Sequence, residues 1–438
     1  MRNYVIIGTG AAGIAAAEAI RCQDPRAKIM LVGEERHGYY SRPGLAFYLT
    51  GELDERQLHP FSERDFNRLN VQILQARAVR IHPCSHQVEL HNGSALSYDR
   101  LLIATGATAA RMQVSGGDAE GVVKLDNLDD AQRLIKLIRK ARSAVVVGGG
   151  ITALEIVEGL VAKGVKTHYF LRGDRYWSNV LDETESRIVE HRLREEGVQI
   201  HHHTELEEIL EKRGQVAGVR TKDGRLFKCS LVAIAIGIRP RKELAEASGL
   251  ETDRGILVNE YLQTSDPDVY AAGDVAQVFD PFSGKSVLDS LWGPARNQGT
   301  TAGLNMCGLG QPYYKLVPFN VTRLANLTTT IIGLVGRGSD RDLVGIARGD
   351  SETWRQLPDA IAAQADFEVN RLRILVGEQT FIGAIVMGDQ TLSRPLQHII
   401  TQHIDITPIR EELLKQGAPI ADIIADFWID LKQAEFTS

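Results

Sequence analysis

The sequence predicts an α/β protein with two doubly wound parallel-sheet units and a small α+β unit behind them. Three observations predict it. A glycine-rich turn, Gly8-Thr9-Gly10-Ala11-Ala12-Gly13, directly follows an apolar run at the start of the chain. A second, Gly148-Gly149-Gly150-Ile151-Thr152-Ala153, follows another apolar run 140 residues later. From Pro312 the chain turns to strand-like stretches, including 328–335 and 371–376.

The first unit opens with Tyr4-Val5-Ile6-Ile7, an apolar run that suits a parallel strand buried on both faces, and residues 15–20 then read as a helix. Between them Gly8 permits a tight turn, Gly10 lets the backbone approach a pyrophosphate, and Gly13 lets helix and strand pack closely. With Ala11 and Ala12 they form the first candidate nucleotide site. A strand over 28–32 leads to Glu34 and Glu35, about 20 residues past the glycines, where a carboxylate can accept from adenosine ribose hydroxyls. A tight turn in an ordinary α/β protein is the competing reading.

The second unit repeats the logic. Val145-Val146-Val147 leads into Gly148, Gly150 and Ile151, and residues 155–162 continue as a helix. The strand over 167–171 ends in Arg172, with Arg175 close behind and no carboxylate at the ribose position. Arginine there could grip a 2′-phosphate in a forked contact, which favours NADPH over NADH. The competing reading is that both arginines are solvated loop charges. Two Rossmann-like units in one chain imply two bound dinucleotides, and a protein holding two usually passes electrons between them.

Further segments carry a family resemblance. They are Tyr40-Ser41-Arg42-Pro43-Gly44-Leu45, Leu101-Leu102-Ile103-Ala104-Thr105-Gly106, Ile236-Gly237-Ile238-Arg239-Pro240, and residues 264–274 ending Ala271-Ala272-Gly273-Asp274. In this order the chain resembles the FAD-dependent pyridine-nucleotide oxidoreductases with a glutathione-reductase-like fold. That group includes rubredoxin reductase, the ferredoxin reductases of oxygenase systems and apoptosis-inducing factor. The resemblance implies that Arg42 contacts the phosphates and ribose of FAD, that Pro43 and Val79 belong to the same site, and that Asp274 binds the ribityl chain. It implies that Ala104, Thr105 and Gly106 form the crossing out of the FAD domain, and that Gly237 belongs to the return. Read without it, Asp274 suits a helix cap. Leu291 and Trp292 resemble the segment beside the isoalloxazine, although a lone tryptophan is as readily core. Glu155, by resemblance, orients the nicotinamide; otherwise it is a helix charge. Residues 381–389 resemble the family's small C-terminal domain and the reductase portion of assimilatory nitrite reductases.

Departures from the family sharpen this reading. Where some members carry a reactive cysteine this chain has Pro43, and Cys22, Cys84, Cys229 and Cys307 are scattered without a Cys-x-x-Cys pair. Dithiol and zinc chemistry therefore lack support. Phe47 stands where rubredoxin-reductase-like members often have a lysine near the flavin.

The expected organisation is a discontinuous FAD-binding domain over 1–108 and 238–311, an inserted NAD(P)-binding domain over 109–237, and a C-terminal domain over 312–438. The 438 residues are 43% hydrophobic and 24% charged with net charge −6, which suits several domains and argues against a basic nucleic-acid footprint. No apolar run reaches the ~20 residues of a membrane span. The chain runs from Met1 straight into its first strand and has few cysteines, so a cytoplasmic protein is expected. Ile420, Ile423, Ile424, Phe427 and Leu431 share a helical stripe that packs on its own domain or on another subunit, so a homo-oligomer stays open. His201-His202-His203 reads as a solvated strand end, with no metal site expected. The expected activity is hydride transfer from NADPH or NADH to FAD, then electron delivery to a carrier protein or partner redox centre. An oxygen-using NAD(P)H oxidase and a non-catalytic NAD(P)H-responsive flavoprotein are the competing classes.

Overall fold

In the first parallel sheet the strand Asn3–Ile7 lies at the centre because every residue after Asn3 is buried, leaving no face for solvent. The computed structural model describes residues 1–281, 284–335, 361–367 and 370–437. The sheet order is Val269–Ala271, Arg100–Ile103, Asn3–Ile7, Lys28–Gly33, Gln72–Gln75. Its first helix, Ala11–Gln23, begins earlier than the apolar pattern alone marks, because Gly10 is its N-cap in an extended conformation. Gly8 has φ +124°, and a Cβ there would lie 2.0 Å from the Ala104 carbonyl oxygen. A Cβ on Gly13 would lie 2.0 Å from the Gly8 carbonyl oxygen, so this glycine sets helix-to-strand contact.

The helix Trp292–Met306 packs backbone to backbone on Ala11–Gln23. Added Cβ atoms at Gly299 and Gly303 would stand 2.1 Å and 2.6 Å from the carbonyl oxygens of Ala12 and Ala16. Small residues on both helices allow that approach.

The second parallel sheet runs Gln199–His201, Lys166–Phe170, Ser143–Val147, Leu231–Ile234, Val122–Val123. Its helix Ile151–Val161 starts at the second glycine turn, where Gly148 sits against the Ala235 carbonyl oxygen. Strand Ala107–Ala109 pairs antiparallel with Ile238–Pro240, so the two connections between the parallel sheets run side by side.

The third unit is an antiparallel sheet ordered Phe319–Leu324, Leu327–Gly333, Phe381–Met387, Asn370–Val376, Ile361–Phe367. Helices Ser393–Thr401 and Ile420–Thr437 cover it, and Ile420, Ile423 and Ile424 are buried with Leu396, Ile399 and Ile400 in one cluster. The apolar stripe of the tail thus packs on its own unit. Arg371 and Arg373, both buried, reach Asp182 and Glu185 at the start of helix Glu183–Glu195. Buried pairs of this kind add little net stability, and here they bridge the second and third units.

Candidate functional site

Both glycine turns open into one cavity of about 740 Å³, a size that suits large ligands. From the first turn it is lined by Gly8, Gly10, Ala11 and Ala12, and at the end of the second strand by Glu34 and Glu35. Arg42, Pro43, Val79, Ala104, Thr105 and Gly106 continue the wall. Gly150, Ile151 and Glu155 line it from the second unit, and Gly237, Gly273, Asp274, Leu291 and Trp292 complete it. Gly13 and Gly148 stand behind this surface as packing positions. Arg172 and Arg175 do not line it.

The backbone is arranged for phosphate. Helices Ala11–Gln23 and Ile151–Val161 start at Gly10 and Gly150 with no side chain capping their first amides, so donor groups at both termini stay available to an anion. An added Cβ at Gly10 would meet no atom within 4 Å, whereas at Gly8 and Gly13 it would strike backbone. That open space beside a packed turn is the cradle a pyrophosphate needs, and it is the local feature that fits FAD.

Charge on the cavity wall is paired across the first and second units. Arg241 bonds Glu34 at 2.9 Å and reaches Asp126 at 3.5 Å. Burial alone would raise the Asp126 carboxyl, but the Thr108 hydroxyl, Lys124 and Arg241 hold it below its ordinary value. Arg42 pairs with Glu35 and donates to the Asp126 carbonyl, and Tyr40 donates its hydroxyl to Glu35 at 2.8 Å. Sequence reasoning missed Asp126, Thr108 and Arg241. For Arg241 the signal was present, one residue past the return crossing at Arg239-Pro240.

Asp274 occupies a turn closed by the Ala276 amide donating to the Gly273 carbonyl at 2.9 Å, between strands rather than at a helix start. The helix-cap reading is thereby corrected: Gly273, at φ +81°, turns the chain into the next strand. Trp292 is 47% exposed at the first residue of its helix, with the Arg296 guanidinium 5.4 Å from its ring centroid. It is not a core residue. Arg175 donates to Asp174 at 3.1 Å and to the Ser178 carbonyl, while Arg172 is exposed. Asp174 is a carboxylate just beyond the strand end that the sequence reading left unweighed.

The histidine run is less solvated than expected. His201 joins an aromatic cluster with His168, Phe170 and Phe227, His202 contacts Glu190 at 3.0 Å, and His203 is exposed at φ +47°. Burial lowers His168 to about 4, which keeps it neutral beside His201. Among the described residues no three metal-ligating side chains converge.

Residues 2–299 match the family model described as pyridine nucleotide-disulphide oxidoreductase. The chain belongs to that family. It is an FAD-dependent NAD(P)H oxidoreductase, and its parallel-sheet units are Rossmann-like. The 3-phenylpropionate/cinnamic acid dioxygenase ferredoxin–NAD(+) reductase component of Photorhabdus laumondii is 32% identical over 315 residues, 71% of this chain and 80% of that protein. Putidaredoxin reductase of Pseudomonas putida is 29% identical over 99% of each chain. The solved covalent putidaredoxin reductase–putidaredoxin complex superposes with a TM-score of 0.84 at 26% identity, covering 97% of this chain and 98% of that one. Nitrite reductase [NAD(P)H] of Bacillus subtilis is 25% identical over 93% of this chain and 48% of its own length.

Despite the family's name, the four cysteines stand away from the cavity. Cys22 and Cys84 are exposed, Cys307 is half-buried, and burial pushes the Cys229 thiol up to about 12. No described helix is long and apolar enough to cross a membrane.

Proposed function

We propose that this enzyme passes electrons from NAD(P)H through FAD to a ferredoxin-type carrier protein. The observation that carries the reading is the single cavity joining both glycine turns, with half-exposed Trp292 at one wall and no cysteine beside it. Its relatives include a ferredoxin–NAD(+) reductase component and putidaredoxin reductase, and the superposed complex pairs that reductase with putidaredoxin.

In this reading the domains divide at the two adjacent connections, as 1–108 with 238–311, 109–237, and 312–438. The first-turn amides after Gly10 hold the pyrophosphate of FAD, Glu34 accepts from its adenosine ribose, and Asp274 accepts from its ribityl hydroxyls. Arg42 exchanges part of its pairing with Glu35 for phosphate. Gly150 and Ile151 seat the nicotinamide nucleotide, and Glu155 orients its ring. Bound here, FAD supplies hydride acceptance from NAD(P)H and onward release of electrons. The chain's part is alignment: holding donor and acceptor side by side in one cavity would make a bimolecular step a positioned one. Arg172 at the second strand's end supports NADPH, and a cytoplasmic setting fits four unpaired cysteines.

The test is steady-state NAD(P)H oxidation by flavin-loaded enzyme with ferricyanide, oxygen and a one-electron ferredoxin as separate acceptors. Ferricyanide and ferredoxin turnover well above the oxygen rate is the expected result. Equal or faster turnover with oxygen identifies an oxidase, and none with any acceptor a non-catalytic flavoprotein.

A further inference from the structure

The nicotinamide-side helix Ile151–Val161 carries a second carboxylate one turn beyond the cavity. Glu155 lines the cavity; Glu158 is 7% exposed, and its Oε1 has no hydrogen-bond partner. The Arg323 guanidinium and the backbone amides of Asn326 and Ala325 act on its carboxyl group, favouring the charged form. Ala325 and Asn326 form the tip between strands Phe319–Leu324 and Leu327–Gly333, and both take positive φ, +48° and +61°. A two-residue tip with that geometry is a tight hairpin turn of fixed shape.

The same tip is tied to all three units. Arg192 donates to the Ala325 carbonyl at 2.7 Å, and Asn326 donates to Glu196 at 2.7 Å. Arg323, just before the tip, bonds both carboxylate oxygens of Glu52 at 2.7 Å and lies 4.9 Å from the Phe47 ring centroid. At the next residue a Cβ on Gly159 would stand 3.0 Å from Leu49 Cβ, so the helix also presses on the first unit. Glu158 thus stands on the cavity helix beside a hairpin tip that grips both other units.

We propose that Glu158 is a positioning residue for the pyridine nucleotide: its carboxylate draws the hairpin tip and Arg323 onto the helix, fixing where Glu155 and the first turn sit, and protonation releases that hold. This rests on the reading that the Gly150–Glu155 end takes the nicotinamide nucleotide. Burial pushes Glu158 up to about 7; Arg323 and the two tip amides pull it down, and Glu155 pushes it further up. Behind Arg323 stand Glu52 and Glu196. On the sheet side lie Tyr169 and Tyr176, fully buried and raised well above their ordinary value, so they stay neutral while Glu158 titrates.

The experiment is calorimetric titration of flavin-loaded enzyme with NAD⁺ and NADP⁺ from pH 6 to 8.5, beside infrared difference spectra of the carboxylic-acid carbonyl stretch. Wild type should bind about five- to tenfold more tightly above the midpoint near pH 7 than below it. Glu158→Gln should flatten that dependence and remove a carbonyl band that titrates over the same range. Arg323→Met should move the midpoint upward, because the cation that favours the carboxylate is gone; this second variant serves if Glu158→Gln does not retain flavin. Binding with the same pH dependence in wild type and Glu158→Gln overturns the inference and leaves the cavity reading standing. No binding of either nucleotide to wild type at any pH overturns both.

Discussion

At Asp274 the physics of one side chain can be isolated. The turn that carries it is rigid, because the Gly273 amide donates to Gln298 at 2.8 Å and Gly273 itself packs on Ala12. Asp274→Ala keeps these Gly273 contacts and removes a carboxylate that lines the cavity. Flavin retention should weaken by about 1–3 kcal/mol, read as a larger apoprotein fraction after gel filtration. Unchanged retention would remove Asp274 from the FAD site. Arg172 poses a sharper choice, since it is exposed while Arg175 is engaged by Asp174. Arg172→Glu should shift the ratio of kcat/KM for NADPH over NADH by about tenfold toward NADH, removing a phosphate grip and adding a ribose acceptor. A wild type that already prefers NADH tenfold would instead point to Asp174 as that acceptor.

Elements differ in how openly their residues announce them. The glycine turns were legible because steric need is local: Gly8 and Gly148 have positive φ and meet a carbonyl oxygen at once. The crossing at Ala104-Thr105-Gly106 was legible through resemblance, and its fold-level reason is that Gly8 needs Ala104 as its neighbour. Asp126 and Arg323 were not legible, because each meets a partner brought from more than one hundred residues away. Gly299 shows the same limit: nothing in its local pattern reveals that it touches Ala12. Gly299→Ala would force the helices Ala11–Gln23 and Trp292–Met306 apart, costing about 1–3 kcal/mol or more. Because Ala11, Ala12 and Trp292 line the cavity, the thermal midpoint and flavin content should fall together; a drop in neither would show that the helices shift without cost.

The helix Ile151–Val161 also carries a pH-dependent stability term. Glu158 binds its proton more tightly folded, at about 7, than at the ordinary 4.5. The folded state therefore gains most below pH 4.5, and that gain is lost as pH rises through about 7. Wild type should lose roughly 1–1.5 kcal/mol relative to Glu158→Gln between pH 6 and 8.5, measured by urea unfolding of the flavin-loaded proteins. A constant difference across that range would show that Glu158 does not titrate in the folded protein.

For the whole molecule, the decisive question is where electrons leave. The cavity joins the two glycine turns, and Cys22, Cys84, Cys229 and Cys307 all lie outside its lining. Cys229 is further disabled by burial, since a thiol pushed up to about 12 holds almost no thiolate near neutrality. In the proposed reading of the cavity electrons pass at the cofactor's own edge, so one-electron acceptors should be competent while small disulfides should not. The variant that tests this replaces exposed Cys22 and Cys84 by serine, and Cys229 and Cys307 by alanine to avoid burying a new hydroxyl. Losing the buried Cys229 sulfur should lower stability modestly, by about 1 kcal/mol. NAD(P)H-dependent ferricyanide reduction should stay within twofold of wild type once flavin content is matched. Loss of turnover in that folded, flavin-loaded variant, or brisk reduction of a low-molecular-weight disulfide by wild type, would return a cysteine to the reaction.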